Sequence, residues 1–175
     1  MHIPSSRNPA TASSLNPFVA SSLNPNVASS LNPNVASSKN PFVASSLNPN
    51  IASSINPNVA SSLNYNVSGS INPAVTSSIN PAVSSPINPN VSSNIKGLYV
   101  FDLELAAVGF TVPANDRVNL LFTPDCRFTG VIISARDDFR NVFNLSNEWV
   151  GFWLHARDNV WVRFNLSNEW IGFTT

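Results

Sequence analysis

Charge is scarce in the first half of this chain. Between Asn8 and Ile95 the only charged side chain is Lys39, and all nine acidic residues follow Lys96. Lysine plus arginine equals aspartate plus glutamate at nine each, so neither a basic footprint for nucleic acid nor a polybasic run for a membrane surface is present. Cysteine is limited to Cys126, which excludes an intrachain disulfide framework and a cysteine-built metal centre. Apolar runs are all short of the roughly 20 residues of a membrane-spanning helix, so no membrane insertion is expected. The opening Met1-His2-Ile3-Pro4-Ser5-Ser6-Arg7 lacks the apolar stretch of a signal peptide, pointing to synthesis in a cytoplasm.

Histidine is equally sparse, with only His2 and His155, and no Ser-His-Asp or Cys-His spacing accompanies them. Glu148 and Glu169 occupy equivalent places in a repeat, the opposite of an acid/base pair in divergent environments. Asp137-Asp138 with Asn141 is a candidate cation cluster, but adjacent acids in a loop are ordinarily just solvated. A phosphate-binding glycine loop is absent. These absences argue against an enzyme, and no cofactor or metal is expected.

What is present is a repeat. From Ser5 to Ser92 the chain runs in eleven units of eight without insertion or deletion, typified by Ser21-Ser22-Leu23-Asn24-Pro25-Asn26-Val27-Ala28. One apolar slot holds Leu or Ile. The other is almost purely β-branched: Val19, Val27, Val35, Val43, Ile51, Val59, Val67, Val75, Val83 and Val91. Recurrent proline excludes a helix, and Asn-Pro-Asn has turn chemistry. The two slots are four apart, so in an extended chain they share a face. Each octad therefore reads as a short strand, Val-Ala-Ser-Ser-Leu, plus a corner. Two aliphatic side chains per octad bury too little to order a lone strand, so strands must be borrowed from neighbours. Disorder is the competing reading, against which the regular β-branched slot counts. A cross-β stack is opposed by the proline in each unit.

Period and valine together resemble the triple-stranded β-helix of the membrane-puncturing spikes of contractile phage tails, and more loosely the repetitive shafts of viral fibres. The resemblance covers the octads only, and serine (Ser21, Ser29) stands where those spikes typically have glycine. It implies an all-β chain in which three intertwined copies form a β-helical shaft, with the valine slot at the axis. Arg7 and Lys39 fall in the leucine slot, which also favours valine for the axis, since three lysines on a sealed axis would be costly. Tyr65 replaces a proline and Gly69 a serine, suggesting a local kink. Phe18 and Phe42 replace corner asparagines and should point outward, toward another protein or over neighbouring strands.

The expected organisation is a tail (1–4), the octad shaft (5–95) and a small antiparallel β head (96–175). Within the head, Ala135-Arg136-Asp137 recurs at Ala156, and Phe143 to Trp149 recurs at Phe164 to Trp170, both at an offset of 21 (135 to 156, 143 to 164). That predicts two tandem hairpins, 135–155 and 156–175, in a prism, a sandwich or an interleaved knob. Trp149, Trp153, Trp161 and Trp170 are either core and interface residues or, with Asn147-Glu148 and Asn168-Glu169, two sugar-binding sites in which rings stack on sugar faces. The leading expectation is a homotrimeric fibre or spike on a virion surface, with the head either attaching to a cell-surface glycan or receptor or anchoring to a capsid or tail protein. Alternatives are a minor capsid or cement protein with extended octads, and a cellular filament or lectin-like adhesin.

Overall fold

The computed structural model describes residues 1–175. The chain is all-β in its second half, where eight antiparallel strands close into a barrel: β1 (Tyr99–Phe101), β2 (Ala107–Pro113), β3 (Val118–Phe122), β4 (Phe128–Arg136), β5 (Phe139–Asn144), β6 (Trp149–Arg157), β7 (Val160–Asn165) and β8 (Trp170–Thr174). Each strand pairs with its neighbour in sequence, and β1 pairs with β8 to remove the free edges. The expected prism, sandwich or knob is thus replaced by a single closed sheet.

The repeat behind the barrel is fourfold rather than twofold. Gly109, Gly130, Gly151 and Gly172 recur every 21 residues, one on each even-numbered strand. A Cβ at any of them would run into the carbonyl oxygen of Phe122, Phe143, Phe164 or Phe101 respectively, themselves 21 residues apart. At each of those phenylalanines the ladder shifts register, which lets a small barrel curve. The first two copies escape a direct sequence comparison because only the glycine, the phenylalanine and the strand alternation persist in them.

The octads do not form the strand-and-corner units of a shaft. Every Ser-Ser-Leu is a single 3₁₀ turn, as in Ser21–Leu23, and every Asn-Pro-X-Val is a second turn. In one octad Leu23 donates to Ala20 at the end of the octad before, Asn24 to Ser21, and Val27 and Ala28 both to Asn24. The Asn24 side chain caps its corner by accepting from the backbone N–H of Asn26 (2.9 Å), a bond repeated in every corner along the strip. Two turns separated by single extended residues make a zigzag. Leucine and valine therefore fall on opposite faces rather than on the shared face of an extended strand.

This zigzag strip makes one circuit of the barrel. Its Ser-Ser turns meet one barrel end, where Arg157 reaches the Ser14 carbonyl, Arg136 that of Ser38 and Arg117 that of Ser54. Its corners meet the other end, where Phe18 packs on Trp170 and Phe42 on Trp149. The first octads return to the last: His2 N–H donates to the Pro89 carbonyl, and Arg7 to the carbonyls of Ile95, Gly97 and Thr175. Tyr65 produces no kink; its hydroxyl donates to Leu145 O, its ring stands edge-on to Phe128, and the turn at Gly69–Ile71 keeps the phase.

The main core lies between strip and barrel. Leu31, Leu47, Ile55, Leu63, Ile71 and Ile79 pack against an outward-facing girdle of barrel phenylalanines, whose rings stack in pairs such as Phe139 on Phe152 and Phe101 on Phe173. A smaller core of Leu98, Val100, Ile132, Val142, Trp153 and Trp161 fills the lumen. The valines expected at a buried axis are on the outside of the molecule, each 64–70% exposed.

Candidate functional site

Strand alternation sends one set of side chains from β5, β6 and β7 into the lumen. Across β5–β6 Arg140 is opposite Trp153, and across β6–β7 Trp153 is opposite Arg163, so two arginines flank one indole in a row. Arg140 lies over the Trp161 ring at 3.9 Å, and Arg163 is 5.9 Å from the Trp153 ring centre. Arg163 Nη1 donates to Phe101 O at 3.0 Å. Burial pulls both guanidiniums down to about 10, in Arg163 against the opposing pull of Asp102. The ion pairs of the molecule, Lys39 and Arg136 with Asp138, are elsewhere, near the β4–β5 turn. At the barrel end that carries the β2–β3 and β6–β7 turns the lumen opens into a cavity of about 310 Å³, lined by Lys96, Asp116, Asn119, Arg140, Asp158 and Trp161 among others.

The tryptophans predicted as a sugar platform divide between two places. Trp153 and Trp161 are in the lumen, away from the Asn-Glu pairs. Trp149 and Trp170 open β6 and β8 directly after the two equivalent turns, so the structure does bring Trp149 beside Asn147 and Glu148, and Trp170 beside Asn168 and Glu169. In those turns Asn147 and Asn168 take left-handed backbone conformations (φ 56° and 59°), which asparagine tolerates. Each glutamate is engaged inside its own turn: Asn144 Nδ2 donates to Glu148 at 2.7 Å and Asn165 Nδ2 to Glu169 at 2.6 Å. The strip then holds the turns, with Asn58 Nδ2 donating to Asn147 O and Asn168 Nδ2 donating to Asn34 Oδ1. Phe42 and Phe18 cover the two indoles at ring separations of 5.5 and 5.4 Å. Beside Trp149 a groove of about 290 Å³ remains, lined by Asn50, Asn56, Asn58, Asn147 and Glu148.

Of the groups considered for catalysis, His155 Nε2 faces the Asp158 carbonyl at 3.0 Å and its ring leans on Trp161, while His2 is exposed. Asp138 is occupied by Arg136 and Lys39, which separates it from any role with Asp137 and Asn141; Asn141 instead is fully buried and donates to Leu47 O of the strip at 2.9 Å. Sequence reading missed the lumen arginines. The signal for Arg163 was its alternation with Val162 and Phe164; nothing local distinguished Arg140 from the surface arginines.

No protein-family model, curated protein or solved structure matches this chain.

Proposed function

We propose that this chain is a non-catalytic structural protein that assembles with copies of itself through the outer face of its strip. The observation that carries this reading is the rank of ten β-branched side chains, Val19 through Val91, each about two-thirds exposed and repeated at every octad. A regular rank of exposed apolar side chains of this kind marks an interaction surface. Identical copies suit it better than a foreign partner. Both faces then share one period, so rank meshes with rank in register. The strip's only cations past its first residues, Arg7 and Lys39, are engaged by the barrel side, so like faces meet without charge repulsion.

A homotrimeric virion fibre or spike is one form such assembly would take. There the octads would leave the barrel and wind with two partners, burying the valine slot at a three-chain axis, while the head attaches or anchors. The same exposed valines support that arrangement.

Light scattering on the full-length chain tests both. The expected result is a mass of several chains that falls to one when Val35, Val43, Val59 and Val67 are changed together to serine. A wild-type monomer at about 100 μM, a concentration at which weak specific contacts populate, would overturn assembly in either form. Tethering strip to barrel with Asn58→Cys and Asn147→Cys, in a Cys126→Ser background, separates them: an assembly that survives oxidation keeps its collar, and one that is abolished needs the octads released.

A further inference from the structure

Three guanidiniums are withdrawn from solvent in this molecule, and their surroundings differ. Arg7 donates to three backbone carbonyls and Arg163 to one. The Nε of all three is buried without a partner, but Arg140 alone also has no protein acceptor for its Nη atoms, and no carboxylate lies within ion-pair distance. A guanidinium partly taken from water, with no protein acceptor and no counter-charge, is destabilised unless water or a ligand at its open edge satisfies it. The guanidinium carbon lies 3.9 Å from the Trp161 ring centre, a contact that holds the side chain in place without engaging its donors. The group borders the cavity at the barrel mouth, where Lys96 adds a second positive charge and Asn119 a neutral donor.

We infer that the barrel mouth binds a small oxyanion, a phosphate, sulfate or carboxylate group, gripped by the Arg140 fork and steered by Lys96. A planar guanidinium held over an indole with its donors free is matched to two oxygens of one such group, and charge-assisted bonds of this kind are short and strong. Asp116 and Asp158, also on the cavity wall, oppose the anion and set an orientation in which its charge points toward Arg140 and away from them. Burial lowers Arg140 to about 10, which leaves it charged at neutral pH, so the anion meets a fixed positive charge.

Isothermal titration of the full-length chain with sodium phosphate and with sodium sulfate, at ionic strength fixed with chloride, tests this. Saturable binding is expected, weakened roughly tenfold or more by Arg140→Gln and about threefold by Lys96→Gln, in line with losing a charge-assisted fork and a rim charge. Lys96 is exposed, so its variant reports on the site even if Arg140→Gln does not fold. Following the Arg140 Nε–H resonance during the same titration places the ion on that side chain. The inference is overturned if neither anion saturates the wild-type protein below about 50 mM, a range of negligible affinity. It is equally overturned if binding is unchanged in Lys96→Gln and leaves the Arg140 resonance unmoved, which would mean an adventitious ion only.

Discussion

Strip and barrel bury apolar side chains with opposite backbones. Barrel strands satisfy their amides across ladders that join distant residues, from Tyr99 opposite Phe110 round to Val100 opposite Thr174. The strip satisfies its amides locally, by bonds to carbonyls three or four residues back that reach no farther than the adjoining octad, with His2 to Pro89 the long-range exception. Side chains add longer links between successive octads, such as Asn56 Nδ2 and Asn80 Nδ2 donating to the carbonyls of Pro49 and Pro73. So the barrel carries its own architecture, whereas the strip has local turns and takes its path from the surface beneath it. The dependence is mutual, because the phenylalanine girdle would face water without the strip.

The strongest challenge to this comparison is made in the buried slot. Leu47→Ala removes a side chain that is 1% exposed and packed on Phe152 and its neighbours. A loss of about 2–5 kcal/mol is expected in urea unfolding. Val43→Ala, one slot earlier and 65% exposed, should fall within about 0.5 kcal/mol in dilute protein. Equal costs at the two positions would mean that the strip does not present one face to the barrel.

Next in size is the closure of the circuit. Arg7 Nη2 bonds both Gly97 O at 2.8 Å and Thr175 O at 2.5 Å, and its guanidinium lies 4.6 Å from the Tyr99 ring centre. Arg7→Ala leaves the Ile95 and Gly97 carbonyls without that donor and Thr175 O with the Tyr99 N–H alone, with an expected cost of about 2–3 kcal/mol. Hydrogen exchange should rise at residues 1–12 and at Thr175 while the β4–β7 amides stay protected. Uniform loss of protection would show that strip closure and barrel folding are one cooperative event.

The corner aromatics give a smaller, pairwise effect. Phe42 over Trp149 and Phe18 over Trp170 are repeats of one contact at 5.5 and 5.4 Å. A double-mutant cycle on Phe42→Ala and Trp149→Ala should return a coupling of about 0.5–1.5 kcal/mol. The Phe18–Trp170 cycle should agree with it, and no coupling should appear in the mismatched pair Phe18–Trp149.

The octad phase and the change near Lys96 were legible because a strict period and a jump in charge survive any choice of backbone. What the pattern did not decide is which slot faces in. Residues four apart share a face in a strand, but a 3₁₀ turn at Ser-Ser-Leu followed by the Asn-capped corner puts Leu23 inside and Val27 outside. Valine's β-branching points to a strand only when the backbone is extended, and here each valine closes a turn by donating to the asparagine three residues before it. In the second half the hairpin pair 135–175 was readable from its duplicated words. Its two further copies were carried only by the spacing of one glycine and one phenylalanine per copy, so a fourfold barrel was less visible than a twofold one. Trp149 with Asn147 and Glu148 was found as a sequence cluster; Arg140 depends on barrel closure to meet Trp161 and left no local trace.

The smallest effect concerns the one lysine in the leucine slot. Lys39 occupies a position that is buried in neighbouring octads, and the barrel answers it with Asp138, 4.0 Å away and itself bonded by Arg136 Nε at 2.5 Å. Burial alone would push the Asp138 carboxyl up; the Arg136 hydrogen bonds and charge, with Lys39 beyond, more than reverse this and hold it below the usual carboxylate range. Because the folded value is depressed, the stabilisation is complete above the unfolded value of about 3.9 and disappears as pH falls through the folded value. The melting temperature of the wild type should therefore fall more steeply than that of Asp138→Asn below about pH 4. At pH 7 the partly exposed cluster is worth at most about 1 kcal/mol, and the difference should shrink in high salt. Lys39→Leu should remove the strip's share of this pH dependence and raise stability, restoring the apolar slot; a loss of stability instead would mean that the lysine, rather than leucine, is what this stretch of barrel is built to receive.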